Sequence, residues 1–167
     1  MTAPRSVGRI EAPAGAVRHE VAALDADTRV AIVAAEYHID IVQPLVDGAV
    51  DECLERGVQA GAIVIVPVPG AFEVGPAALH CAEAGFDAVI VLACVIRGDT
   101  PHFDYVCSEA ARGVAEASMA TGIPVAFGVL TVETHAQAVS RTGGPDGHKG
   151  RESAAAALTM LQLIRAF

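Results

Sequence analysis

The chain of 167 residues has no tryptophan, and aromatic residues make up only 4% of it, so its elements must pack mainly through small and aliphatic side chains. Basic residues are scarce as well. Eleven Lys and Arg against 20 Asp and Glu leave a net charge of -9, which argues against a surface that binds nucleic acid or anionic lipid by charge. No run approaches the ~20 apolar residues of a membrane span, and a basic-then-apolar leader is missing at the N-terminus, so a cytoplasmic protein is expected. The four cysteines, Cys53, Cys81, Cys94 and Cys107, include no CxxC pair, and each falls in a segment that reads as helix or strand. Small buried thiols are the expectation, in place of ligands or disulfides. HExxH is absent, the six histidines are scattered, and no GxGxxG follows a strand, so neither a metal nor a dinucleotide cofactor is expected.

What is present is an alternation. Four apolar runs, Val30 to Ala35, Ala62 to Val68, Ala88 to Ile96 and Pro124 to Leu130, read as buried parallel strands. Between them lie segments of helical length, Ile41 to Arg56, Phe72 to Ala84 and Asp104 to Thr121, each closed by a glycine (Gly57, Gly85, Gly122) suited to a left-handed cap. A short helix at Thr134 to Ser140 and a long one from Lys149 to Arg165 complete the count. Strand and helix in alternation predict an α/β fold, a parallel sheet covered on both faces, with ligands at the carboxyl ends of the strands. Length allows one domain, residues 28–167, preceded by an aperiodic arm over residues 1–27 that contains Pro4, Pro13 and Gly15. Alanine-rich helices, with Ala154 to Ala157 as the extreme, permit close packing between subunits.

Four constellations could carry chemistry. Arg97-Gly98-Asp99-Thr100-Pro101-His102 follows the third strand and precedes a helix, where turn amides and the Thr100 hydroxyl can face a phosphate; an ordinary turn capped by Asp99 or Thr100 is the plainer reading. His102 is either a general acid or base or a surface residue. Arg141 to Gly150 is a glycine-rich loop with two cations, Arg141 and Lys149, which also reads as a solvated connection. Val68 to Glu73 ends the second strand, and Glu73 could accept hydrogen bonds from hydroxyls or complement a helix dipole. Tyr37-His38 follows the first strand, with an aromatic that could stack on a flat heterocycle or plug the sheet edge.

Together, Val68 to Val74 (VPGAFEV), Val95 to Val106 (VIRGDTPHFDYV) and Gly128 to Gly150 (GVLTVETHAQAVSRTGGPDGHKG) resemble the lumazine synthase family. The resemblance runs from about residue 28 to the C-terminus. It implies a flavodoxin-like three-layer sandwich with a four-stranded parallel sheet, assembled as a homopentamer or as pentamers of higher order, whose arm adds a strand to the neighbouring sheet. It also implies catalysis without a metal or organic cofactor, and it allows riboflavin synthase as a partner.

The implied reaction condenses 5-amino-6-(D-ribitylamino)uracil with 3,4-dihydroxy-2-butanone 4-phosphate, the penultimate step of riboflavin biosynthesis. By the same resemblance Tyr37 packs on the pyrimidine with His38 beside it, Ala71, Phe72 and Glu73 hold the ribityl chain and ring, and Cys94, Val95 and Ile96 contact the pyrimidine. Arg97, Gly98, Asp99 and Thr100 receive the phosphate, and His102 transfers protons. A neighbouring subunit supplies Phe127, which covers the ring, Arg141, which pairs with the phosphate, and Lys149 nearby. Tyr37 stands where Phe or Trp is more usual, His38 where Asn is common, and Gly75 where proline follows the FEV-type segment. Two other functions fit parts of this pattern: a lumazine- or flavin-binding paralogue without turnover, and an unrelated flavodoxin-like phosphosugar enzyme.

Overall fold

The computed structural model describes residue 8 and residues 10–167; part of the expected arm, residues 1–7 and 9, lies outside the described residues. The elements run β1 (Val30–Ala35), α1 (Ile39–Glu55), a 3-10 turn (Ala60–Ala62), β2 (Ile63–Val68), α2 (Val74–Glu83), β3 (Ala88–Ile96), α3 (His102–Thr121), β4 (Val125–Val132), α4 (His135–Val139), β5 (Thr142–Gly144), β6 (Gly147–His148) and α5 (Lys149–Arg165). β1 to β4 form one parallel sheet in the order β2-β1-β3-β4, with Val30 opposite both Ile63 and Ala88, and Val89 opposite Val125.

Alternation within the strands makes two cores. Val30, Ile32, Ile90 and Leu92 point into α1 and α5, where they meet Ile41, Leu45 and Leu158. Ala31, Val33, Val89 and Val91 point the other way, into α2 and α3, where Val74, Ala78, Ala110 and Val114 receive them. β1 and most of β3 are buried on both faces, which is why each reads as an unbroken apolar run. The edge strands are more open, with Val64 and Ile65 of β2 40% and 42% exposed. Gly57, Gly85 and Gly122 all have positive φ (94°, 83° and 71°), the left-handed conformation that ends α1, α2 and α3.

α1 and α3 begin two residues earlier than their periodicity predicts. Neither start has a side-chain cap: His38 precedes α1 in the left-handed region at φ 59°, and Pro101 precedes α3. α4 does carry a readable signal, a capping box between Thr134 and Gln137. The loop after α4 is an antiparallel hairpin, β5 to β6, and not an irregular connection. Among the described residues, no helix is long and apolar enough to cross a membrane.

α2 and α3 touch backbone to backbone. A Cβ built on Gly75 would lie 2.8 Å from the Cα of Gly113, so no side chain fits between the helices at that point. Gly75→Ala is therefore expected to destabilise the protein by about 1 to 3 kcal/mol, the usual cost of overpacking a closed contact. Thermal melting at fixed protein concentration checks this, and an unchanged melting temperature would mean that the helices separate freely.

Candidate active site

The order β2-β1-β3-β4 places the switch point of the fold at β1 and β3, because the chain leaves β1 toward one edge and then returns across it to form β3. A cleft of about 710 Å³ opens there, over the carboxyl ends of β1, β2 and β3. Tyr37 and His38 come from the β1 end, Ala71, Phe72 and Glu73 from the β2 end, and Cys94, Val95 and Ile96 from β3 itself. Gly98, Thr100 and His102 line it from the loop between β3 and α3. Thus eleven of the residues singled out in the sequence meet in one cleft. Gly70, Phe103 and Val106 line it too and were not singled out as site residues. Helical spacing from His102 could have found the last two, since positions 102, 103 and 106 share a face of α3.

The walls are aromatic and open, with Tyr37 and Phe72 70% and 55% exposed. Tyr37 meets His38 edge to face at 4.8 Å, which orients the rim of the cleft. His38 holds its left-handed backbone while its carbonyl accepts the amides of Ile41 and Val42, both at 2.9 Å. Asn and His are among the residues that tolerate this conformation best, a physical reason for either at this position. Glu73 sits at the start of α2 without capping it, and its carboxylate hydrogen-bonds no other described residue. Burial, aided by the Asp40 charge, pushes the Cys94 thiol up to about 11, so it stays neutral and acts as an apolar part of the floor.

Beyond Ile96 the backbone presents donors. Arg97 donates its amide to Val132 at 2.9 Å, which closes the sheet, whereas the amides of Gly98, Asp99 and Thr100 hydrogen-bond no other described residue. These lie just before the N-terminus of a 20-residue helix, a setting that favours an anion. The Arg97 side chain does not line the cleft. It is bound by Asp104 at 3.1 Å and Glu133 at 2.9 Å, lies 4.0 Å over the Phe103 ring, and holds its charge more firmly than usual through the bonds to Asp104 and then Glu133. Asp99 belongs to the same loop and is exposed.

Three predicted site residues stand elsewhere. Phe127 lies on β4 at the far edge of the sheet, opposite Val91 and 40% exposed. Arg141 and Lys149 flank the β5–β6 hairpin, joined by the Lys149 amide donating to the Arg141 carbonyl at 2.8 Å. The Arg141 guanidinium donates to the Gln137 carbonyl at 2.7 Å and to Asp146 at 3.2 Å, and the Lys149 ammonium meets Glu152 at 2.5 Å. Among the described residues, those lining the cleft include no Lys or Arg.

This geometry defines a flavodoxin-like α/β protein with an open cleft at the switch point of its sheet. Residues 27–165 match the family model described as 6,7-dimethyl-8-ribityllumazine synthase. The chain is also 47% identical over 140 residues, 83% of this chain and 87% of the relative, to the 6,7-dimethyl-8-ribityllumazine synthase of Porphyromonas gingivalis. It belongs to the 6,7-dimethyl-8-ribityllumazine synthase family, transferases of riboflavin biosynthesis that condense 5-amino-6-(D-ribitylamino)uracil with 3,4-dihydroxy-2-butanone 4-phosphate.

Proposed function

We propose that the cleft is one half of an active site completed by Phe127, Arg141 and Lys149 of an adjacent copy in a homopentamer. The observation that carries this reading is the lack of any Lys or Arg among the described residues that line the cleft, set against two cations held together at the base of a hairpin outside it. Cations strengthen the hold on a phosphorylated substrate beyond what backbone amides give, and a neighbouring copy can bring Arg141 and Lys149 to the cleft. Residues 28–167 are the catalytic domain and residues 1–27 an arm. The absence of any helix or strand in the described residues before Val30 favours that division, and the half-exposed apolar residues of edge strand β2 favour an added strand from a neighbouring arm.

In this site the pyrimidine stacks against Tyr37 and Phe72, its ribityl hydroxyls donate to Glu73, and the free amides of Gly98 to Thr100 take the phosphate. The pyrimidine's primary amine attacks the ketone and loses one water to form an imine. Elimination then expels phosphate, whose charge Arg141 stabilises, and the ribityl-bearing nitrogen closes the ring with loss of a second water. His102, at the start of α3 on the cleft wall, moves the protons. Most of the acceleration comes from holding two reactants in register.

Arg141→Ala tests the assignment. It removes a charge-assisted contact of about 1.5 to 3 kcal/mol, so the Michaelis constant for the butanone phosphate should rise by roughly ten- to a hundredfold while that for the pyrimidine stays near wild type. Steady-state kinetics with each substrate varied in turn reads both, and an unchanged constant for the phosphorylated substrate removes Arg141 from the site.

A further inference from the structure

The hairpin flanked by Arg141 and Lys149 packs against α1 through the ring of His148. The imidazole of His148 occupies the space of a missing side chain at Gly48: a Cβ built there would fall 2.1 Å from Cε1, 2.4 Å from Nε2 and 2.8 Å from Nδ1. On the hairpin side, a Cβ on Gly143 would meet Cδ2 of the same ring at 3.5 Å. The ring therefore lies between α1 and β5, at the cross-strand pair of Thr142 and His148. Its Nδ1 is buried and has no hydrogen-bond partner among the described residues.

A buried nitrogen without a partner disfavours its own burial, so hydrogen bonding does not explain why an imidazole sits there. Its shape does. The ring fills the gap left by Gly48 and sets the height of the hairpin above α1. Two residues further on, a Cβ on Gly150 would lie 2.0 Å from the Leu45 carbonyl oxygen, so α5 begins in backbone contact with the same helix. Lys149 lies between these two contacts and is tied to Arg141 by the 2.8 Å backbone bond. Any movement of the ring is thus passed to both cations.

We infer that His148, seated on Gly48, is a positioning residue for the phosphate-facing cations Arg141 and Lys149. This rests on the phosphate role proposed above for Arg141. Loss of the ring lets the hairpin settle toward α1, whereas a side chain at position 48 lifts it. Either change misplaces the cations and leaves the cleft of the same chain untouched, because neither Gly48 nor His148 lines it.

The test compares His148→Ala, Gly48→Ala, the double variant and Arg141→Ala in the assembled enzyme by steady-state kinetics with each substrate varied. His148→Ala and Gly48→Ala should each raise the Michaelis constant for the butanone phosphate about tenfold, inside the ~10²-fold that a 1 Å misplacement can cost, with the pyrimidine constant within about twofold of wild type. The double variant, whose new methyl refills part of the vacated space, should recover most of the loss. If His148→Ala does not assemble, Gly48→Ala and His148→Gln carry the same comparison. An unchanged butanone phosphate constant in the position 48 and 148 variants, with a raised one in Arg141→Ala, overturns the inference and leaves the proposed function standing. An equal rise for both substrates also overturns it, since general loosening has no preference for the phosphate. No effect in Arg141→Ala itself would instead sink the phosphate role on which the inference rests.

Discussion

Replacing His102 by alanine is expected to slow turnover by about 10² to 10⁴-fold while both Michaelis constants stay near wild type. The residue opens α3, faces the cleft, and its ring makes no hydrogen bond to another described residue, so truncating it removes no contact that holds the fold. Positioning by Tyr37, Phe72 and the loop amides would survive. Imine formation, phosphate elimination and ring closure each move protons, and a water must replace the imidazole in every one. Single-turnover measurements across the pH range check this. A wild-type rate at every pH would make His102 a wall of the cleft and nothing more, and would reopen a binding role without catalysis for this chain.

The parts of the structure that could be read in the sequence are those where one physical constraint acts alone. β1 and β3 agree with their apolar runs from Val30 to Ala35 and from Ala88 to Ile96, because burial on both faces leaves no room for a polar residue until the strand ends. β4 runs two residues past its expected end, to Val132, because the exposed Thr131 interrupts the apolar run while its ladder to Val95 continues. Helix starts were blurred where backbone conformation replaces a side-chain cap, at His38 and Pro101. The β5–β6 hairpin gave no strand signal, since Thr142 to His148 holds Gly143, Gly144, Pro145 and Gly147 and has no alternating pattern to report a buried face.

Much the same division holds for the candidate site. Residues at the strand ends could be gathered because parallel topology brings all such ends to one side of the sheet. The pairing of Arg97 with Asp104 and Glu133 could not, since Glu133 is 36 positions away and reaches it only through the β3–β4 ladder. Nor does any pattern in the sequence report the contact between Gly48 and His148, a ring on one segment filling the space over a glycine 100 positions earlier. Close approach of this kind depends on helix packing geometry, which composition and periodicity leave open.

Mixing two impaired variants should regenerate activity when the butanone phosphate is kept far below the Michaelis constant of the Arg141→Ala variant. One variant carries Tyr37→Ala and His102→Ala and has lost the cleft side of the site; the other carries Arg141→Ala and has lost the cation side. If each site joins the cleft of one chain to the hairpin of the next, the contact in a cyclic assembly is heterologous, and every interface draws one half from each of two chains. Coexpressed in equal amounts and assembled at random, about a quarter of interfaces would receive both intact halves. The purified mixture should then show roughly a quarter of wild-type activity, well above either parent. Both variants change exposed or partly exposed side chains, so assembly itself should proceed normally. Among the described residues, those lining the cleft of a single chain offer no Lys or Arg to the phosphate, and Phe127 at the far edge of the sheet is 40% exposed. A mixture shown by native mass spectrometry to contain both variants in each assembly, yet no more active than its parents, would place the whole site within one chain and force the phosphate to be held by backbone amides alone.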